Sequence, residues 1–114
     1  MIKFILLFSR HGLARLQKFY VPYTDTQRKR LTKEVTTTVL ARTGKKCNFV
    51  DYAGDKIVYK RYASLYFAFC IEPDTNELLT LESIHRLVEF LDKYSWSFET
   101  FYFSFENAVN RFYY

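Results

Sequence analysis

The chain has 114 residues, 49% of them hydrophobic and 25% charged, with only three Gly and two Pro. That is one domain's worth of sequence, and it excludes a disordered, collagen-like or low-complexity chain. Two asymmetries stand out: residues 1–61 carry 14 Lys and Arg against four Asp and Glu while residues 62–114 carry three against eight, and residues 95–114 hold nine of the 23 aromatic residues.

Ile2–Phe8 is a continuous apolar run, as expected for a strand buried on both faces. Arg10-His11-Gly12 is a turn signal, and Leu13–Tyr20 follows as the second arm of a hairpin, with Leu16 between basic residues. Val21-Pro22-Tyr23 breaks the strand. Thr24-Asp25-Thr26-Gln27 then has the pattern of a capping box, in which the Thr24 hydroxyl caps a backbone N–H and Gln27 reaches back. The helix it opens carries Leu31, Val35, Val39 and Leu40 as an apolar stripe, with Arg28, Lys29, Arg30 and Lys33 on its other sides. Gly44 suits the position just past its end, and the Thr36-Thr37-Thr38 run is poor helix chemistry in its interior.

Cys47–Tyr52, the turn Ala53-Gly54-Asp55 and Lys56–Arg61 form a second hairpin pattern, and Tyr62–Glu72 a further strand with an apolar centre fit for burial on both faces. After the turn Pro73-Asp74-Thr75-Asn76, a periodic helix running to Tyr94 aligns Leu81, Ile84, Leu87, Val88 and Leu91. The order strand, strand, helix, three strands, helix predicts an α+β domain: a five-stranded, antiparallel-rich sheet with helices packed on it in two or three layers. Cys47 and Cys70 lack CxxC spacing and are expected to be reduced thiols of a cytosolic protein. The apolar runs are strand-sized, too short for a membrane span, and the N-terminal one lacks the features of a signal peptide. Any membrane contact is therefore expected to be indirect.

No Gly-rich phosphate loop, GxSxG element or metal-spaced His, Cys and carboxylate cluster is present, so neither an enzyme nor a cofactor is expected. His11, in a turn, and His85, on a helix, read as structural or surface residues, and Glu82 and Glu89 as part of a solvated helix face. The basic half implies an anionic partner, or pairing with the acidic half within the fold or across an oligomeric interface. A nucleic-acid patch built from Arg28, Lys29, Arg30 and Lys33 with Arg42, Lys45 and Lys46 is the weaker alternative, because no RNP-like or GXXG signature accompanies it. An acidic-peptide module has more specific support, since Arg15 on the second strand lies close in the predicted sheet to Ala63 and Leu65, and helix residues Val88 and Leu91 can wall an apolar pocket. Taken by themselves, however, these residues read first as ordinary core or surface positions.

The stretches 1–10 (MIKFILLFSR), 15–20 (RLQKFY), 58–67 (VYKRYASLYF) and 76–85 (NELLTLESIH), ending in 91–94 (LDKY), closely resemble the small sigma subunits of clathrin adaptor complexes. Ser64, residues 39–42 (VLAR) and Cys47 look more like the trans-Golgi and endosomal type than the plasma-membrane type. The resemblance covers residues 1–94 as one longin-like domain and implies a longin-like α+β fold. It also implies a non-catalytic subunit of a heterotetramer with a gamma-type large adaptin, a beta-type adaptin and a medium subunit. Such complexes serve vesicle-mediated intracellular protein transport on clathrin-coated vesicles at the cytosolic face of the Golgi apparatus, trans-Golgi network and endosomes. Their sigma subunits, with the large chain, bind acidic dileucine signals in cargo tails.

Carried over by resemblance, Arg15 faces the acidic side of the signal, and Ala63, Leu65 and Val88 line the pockets for its two leucines. After Tyr94 the family pattern breaks, and residues 95–114 read as a divergent, aromatic-rich tail that shortens the terminal helical region or completes the domain in another way. Phe103-Ser104-Phe105-Glu106-Asn107-Ala108 loosely echoes a family segment, whereas bulky Phe98 stands near the position of a small pocket-wall valine. The expectation is a preserved fold over residues 1–94 with dileucine binding weakened or lost. The remaining alternative is a truncated product that neither assembles nor binds cargo.

Overall fold

A computed structural model describes residues 2–42, 48–62 and 64–94 of the chain. The described elements run β1 (Ile2–Ser9), β2 (Ala14–Phe19), α1 (Asp25–Ala41), β3 (Phe49–Tyr52), β4 (Asp55–Tyr62), β5 (Leu65–Ile71) and α2 (Glu77–Tyr94). This is the expected element order. The strands form one sheet in the order β2-β1-β5-β4-β3, with every neighbouring pair antiparallel.

The apolar runs of β1 and β5 occupy the centre of that sheet, as continuous hydrophobic strands must if neither face is to meet water. Side chains alternate between faces along each strand. Ile5, Leu7, Leu65, Phe67, Phe69 and Ile71 join Val58, Ile84 and Val88 in one buried cluster. Phe4, Leu6, Phe8, Tyr66, Ala68 and Cys70 join Ile57, Tyr59, Val35 and Val39 in another. Since Val35 and Val39 belong to α1 and Ile84 and Val88 to α2, the helices cover opposite faces. The domain is therefore a three-layer α/β/α sandwich, which settles the choice between two and three layers. Leu31 and Leu40 complete the α1 stripe at its partly buried margin, and Leu81 does so for α2. The side chains of Leu87 and Leu91 lie outside those described, as do Gly44 and Cys47.

The capping box at Thr24 forms as expected. The Gln27 amide donates to Thr24 Oγ1 at 3.2 Å and the Thr24 amide donates to Gln27 Oε1 at 2.9 Å. The helix continues through Thr36, Thr37 and Thr38 despite their low propensity. Val35, Thr36 and Val39 are buried against the sheet there, and tertiary packing outweighs the few tenths of a kcal/mol per residue that propensity opposes.

The β3–β4 hairpin is tighter than the expected three-residue turn. Tyr52 pairs with Asp55, leaving Ala53 and Gly54 as a two-residue loop. Both have positive φ, +49° and +86°, the signature of a type I′ turn, in which Ala is a strained occupant.

Two ion pairs fasten the sheet's lower end. Lys3 Nζ lies 2.8 Å from Asp55 Oδ2 across the end of β5, and Lys56 pairs with Glu77 at the start of α2. The second joins the basic half of the chain to the acidic half, the bland outcome that the charge split allowed. Among the described residues, no helix is long and apolar enough to cross a membrane.

Candidate functional site

Arg15 owes its position to an irregularity in the β1–β2 pairing. From Phe4↔Phe19 through Leu7↔Leu16 the register is regular, but Phe8 pairs with Ala14. Arg15 is the extra residue of a β-bulge, passed over where the register steps from Leu7↔Leu16 to Phe8↔Ala14. A bulge increases local twist and re-aims the side chain it carries. Arg15 is exposed, while Leu16 beside it packs against the cluster on the α2 face.

The cross-strand rows show what lies near it. Leu16 pairs with Leu7 and Leu7 with Phe67, while Ala14 pairs with Phe8, Phe8 with Tyr66, and Ser9 with Leu65. Arg15 thus sits at the sheet edge two strand spacings from β5, about 10 Å. Leu65 opens β5 and Val88 lies on the fourth turn of α2; both belong to the cluster that Leu16 borders. Helix and strand therefore bring Leu65 and Val88 into the cluster that Leu16 borders, with Arg15 exposed beside Leu16 on the edge strand. The arrangement is a basic side chain at the sheet edge and apolar side chains beyond it, the chemistry needed to hold a chain segment with an acid ahead of bulky apolar residues.

Leu65 and Val88 are 5% and 4% exposed, so they are core residues of the domain as it stands rather than walls of an open pocket. Ala63 and Phe98, the other two positions carried over by resemblance, lie outside the described residues, as does the whole of 95–114. The β1–β2 connection is tightly built: the Ser9 amide donates to the Leu13 carbonyl at 2.9 Å, and the amides of His11 and Leu13 donate to Ser9 Oγ at 3.3 Å.

His85, Glu82 and Glu89 are engaged along α2. His85 Nε2 lies 2.8 Å from Glu89 and Arg86 Nη2 lies 2.6 Å from Glu82, all four on the exposed side of α2. Among the described residues, no group of three His, Cys, Asp or Glu could hold a metal ion. Cys70 is buried in the α1-side cluster, and desolvation pushes its thiol up to about 12, away from the reactive thiolate.

The basic patch of α1 is divided by the fold. Arg42 turns inward, donating from Nε to Tyr59 Oη and from Nη2 to the Phe49 carbonyl, each at 3.3 Å. Arg30 lies 3.9 Å from Glu34, whose other oxygen accepts a 2.6 Å bond from Tyr52. Arg28, Lys29 and Lys33 instead line a groove between α1 and β2. Sequence reasoning grouped these cations by their spacing alone and had no means of finding the groove, because its other wall comes from the β1–β2 hairpin.

Comparison with known proteins places these features in context. The sequence profile of the clathrin adaptor complex small chain family matches residues 1–107, reaching past the point where the quoted resemblance ends. Over 94 residues the chain is 55% identical to AP-1 complex subunit sigma-1A and 56% identical to AP-1 complex subunit sigma-3, both of Homo sapiens. It is 52% identical over the same length to AP-1 complex subunit sigma-1 of Arabidopsis thaliana. These alignments cover 82% of the chain but 60%, 61% and 58% of the relatives, so the chain spans about three fifths of their length. A chain in a homology model of the full-length AP-3 complex in a stretched open conformation superposes with a TM-score of 0.71 at 26% identity. That match covers 96% of this chain and 81% of the other.

Proposed function

The chain belongs to the clathrin adaptor complex small chain family, and on that premise we propose that it serves as a non-catalytic small subunit that helps to hold acidic dileucine signals. In this reading it assembles with a gamma-type large adaptin, a beta-type adaptin and a medium subunit. Its place of work is the cytosolic face of the trans-Golgi network and endosomes, on coated vesicles. The observation that supports the reading is Arg15, exposed at the bulge of edge strand β2 and next in the chain to Leu16, which borders the cluster containing Leu65 and Val88. Exposed Leu78 and Leu79, adjacent in the first turn of α2, are apolar surface of the kind that a partner chain covers.

Because Leu65 and Val88 are nearly enclosed, a ligand leucine reaches them only if the rim of the cluster opens. Burying two leucines contributes roughly 3–6 kcal/mol before ordering costs, so the apolar contacts dominate affinity and Arg15 sets selectivity. The test begins with co-purification of a gamma-type large chain from cytosol. The assembled complex is then titrated with an acidic dileucine peptide and with its counterpart lacking the acid. Arg15→Ala is expected to weaken the acidic peptide several-fold and leave the other nearly unchanged. Equal losses for both peptides remove Arg15 from the site, and failure to recover any large chain overturns the subunit reading itself.

A further inference from the structure

The groove on the opposite face of the sheet asks for a ligand of its own. It has a volume of about 810 Å³ and runs along α1 from Asp25 to Leu40, a rise of about 22 Å, with His11, Gly12 and Gln17 as its other wall. Its charge is graded. Arg28, Lys29 and Lys33, three cations against the single carboxylate of Asp25, stand toward one end, and Thr36, Thr37, Leu40 and Gly12 toward the other. Neither Lys29 nor Lys33 has a carboxylate partner among the described residues, and Arg28 stacks over Phe19 with 5.1 Å between its guanidinium carbon and the ring centroid. Thr36 is 5% exposed, and its Oγ1 has no hydrogen-bond partner among the described residues; neither has that of Thr32 beside it.

The wall opposite α1 belongs to an edge strand. Among the described residues, β2 has β1 on one side and no strand on the other. The 2.9 Å bond from the Tyr20 amide to the Lys3 carbonyl sets the phase of the ladder, so Leu16, Lys18 and Tyr20 turn their backbone groups to β1. Gln17 and Phe19 therefore turn theirs to the open edge. A strand added there would have alternate side chains facing α1, about 6.7 Å apart. One turn of helix, the spacing of Lys29 and Lys33, is about 5.4 Å.

The geometry points to an acidic peptide segment of a partner chain, bound in extended form along the β2 edge. Its alternate carboxylates meet Arg28, Lys29 and Lys33, and its small apolar residues meet Thr36, Leu40 and Gly12. Length decides in favour of an extended chain over a compact phosphate headgroup, since six or seven extended residues fill about 22 Å. Arg15, Leu65 and Val88 are not among the residues that line this groove, so the inference stands whether or not the dileucine reading holds.

The experiment uses the full chain and a fluorescein-labelled nine-residue peptide, made in both sequence orders. It carries Glu at two alternate positions toward one end and Thr and Val elsewhere, and its control has Gln for Glu. Anisotropy is expected to show the Glu peptide binding about tenfold more tightly at 0.1 M salt, the size of two screened ion pairs. Lys29→Glu with Lys33→Glu should erase that preference, while Arg86→Glu on the opposite face keeps it. If the charge-reversed chain does not fold, Lys29→Gln with Lys33→Gln should erase it as well. Amide exchange at Gln17 and Phe19 should be fast in the free chain and slow in the complex.

Four results overturn the proposal. They are equal affinity for the Glu and Gln peptides, a preference that survives the Lys29 and Lys33 substitutions, edge amides unchanged by peptide, and edge amides already protected in the free chain. The last would mean that another part of this chain or a second copy holds the edge. Retention on phosphoinositide vesicles or single-stranded RNA that depends on Lys29 and Lys33, without peptide binding, reassigns the groove to those ligands.

Discussion

Replacing Leu65 by Ala tests both the packing of the domain and the premise of the candidate site. Leu65 begins β5, pairs with Ser9 on one side and Tyr62 on the other, and shares its cluster with Val58, Phe67, Ile84 and Val88. The substitution removes three carbons that are almost wholly enclosed. At about 0.8 kcal/mol each they account for roughly 2.4 kcal/mol of transfer free energy. The cavity left between sheet and helix adds about 1 kcal/mol more, because a strand held on both sides cannot collapse into it. The expected destabilisation is therefore about 3.5 kcal/mol, a large share of the roughly 5–15 kcal/mol that holds a domain together. Far-UV circular dichroism in a urea titration reads it directly as a lower midpoint with an unchanged slope, and melting should fall by on the order of 10–15 °C. Leu65→Met, which keeps the volume, should cost less than about 1.5 kcal/mol and supplies a folded chain for peptide binding. A loss below about 1 kcal/mol for Leu65→Ala would refute the reasoning, since an enclosed leucine cannot be truncated that cheaply.

Arg15→Ala should change stability by no more than about 0.5 kcal/mol in the same titration, because the side chain is exposed on a bulge and packs no core. Thr24→Ala removes half of the capping box and should cost about 1 kcal/mol, with a loss below about 0.3 kcal/mol showing that the cap is idle. Ala53→Asn relieves a positive φ in the β3–β4 turn and should stabilise the chain by about 0.5–1 kcal/mol; a destabilisation would mean that the turn is not type I′. The alkaline limb of the stability profile should be steep. Burial raises the Cys70 thiol from 9.0 to about 12 and also raises Tyr23, and Tyr52 is raised by burial and then by its bond to Glu34. Lys3 is raised by its hydrogen bond to Asp55. A group raised on folding stabilises fully below its unfolded value and loses that contribution as pH climbs to the folded one. Stability should therefore be level in these groups up to about pH 9 and fall from there to about pH 12, with Cys70→Ala flattening part of the fall. Native chain should also protect Cys70 from iodoacetamide at pH 8, and alkylation at the rate of a free thiol would show that the thiol is not enclosed.

The sequence by itself determined what depends on neighbours along the chain. The Thr24 capping box, the helical stripes of Val35 with Val39 and of Ile84 with Val88, and the two-sided character of β1 and β5 are all written in local spacing. Hydrogen-bond geometry and side-chain periodicity act over four residues or fewer. Only resemblance set Arg15, Leu65 and Val88 apart from ordinary core and surface positions, since an exposed arginine and two buried aliphatic residues carry no local mark of function. Tertiary structure decided the rest. Which helix covers which face followed from the strand order, and the order β2-β1-β5-β4-β3 is a matter of pairing that no single strand specifies. The bulge that sets Arg15 apart exists only in the register between β1 and β2, and the α1 groove only where a helix stripe meets a hairpin edge. The charge asymmetry apparent in the composition became specific in the same way. One cation of the basic half pairs with the acidic half, another turns inward, and three are left along a groove, because folding sorts charges by where their carbon stems can pack.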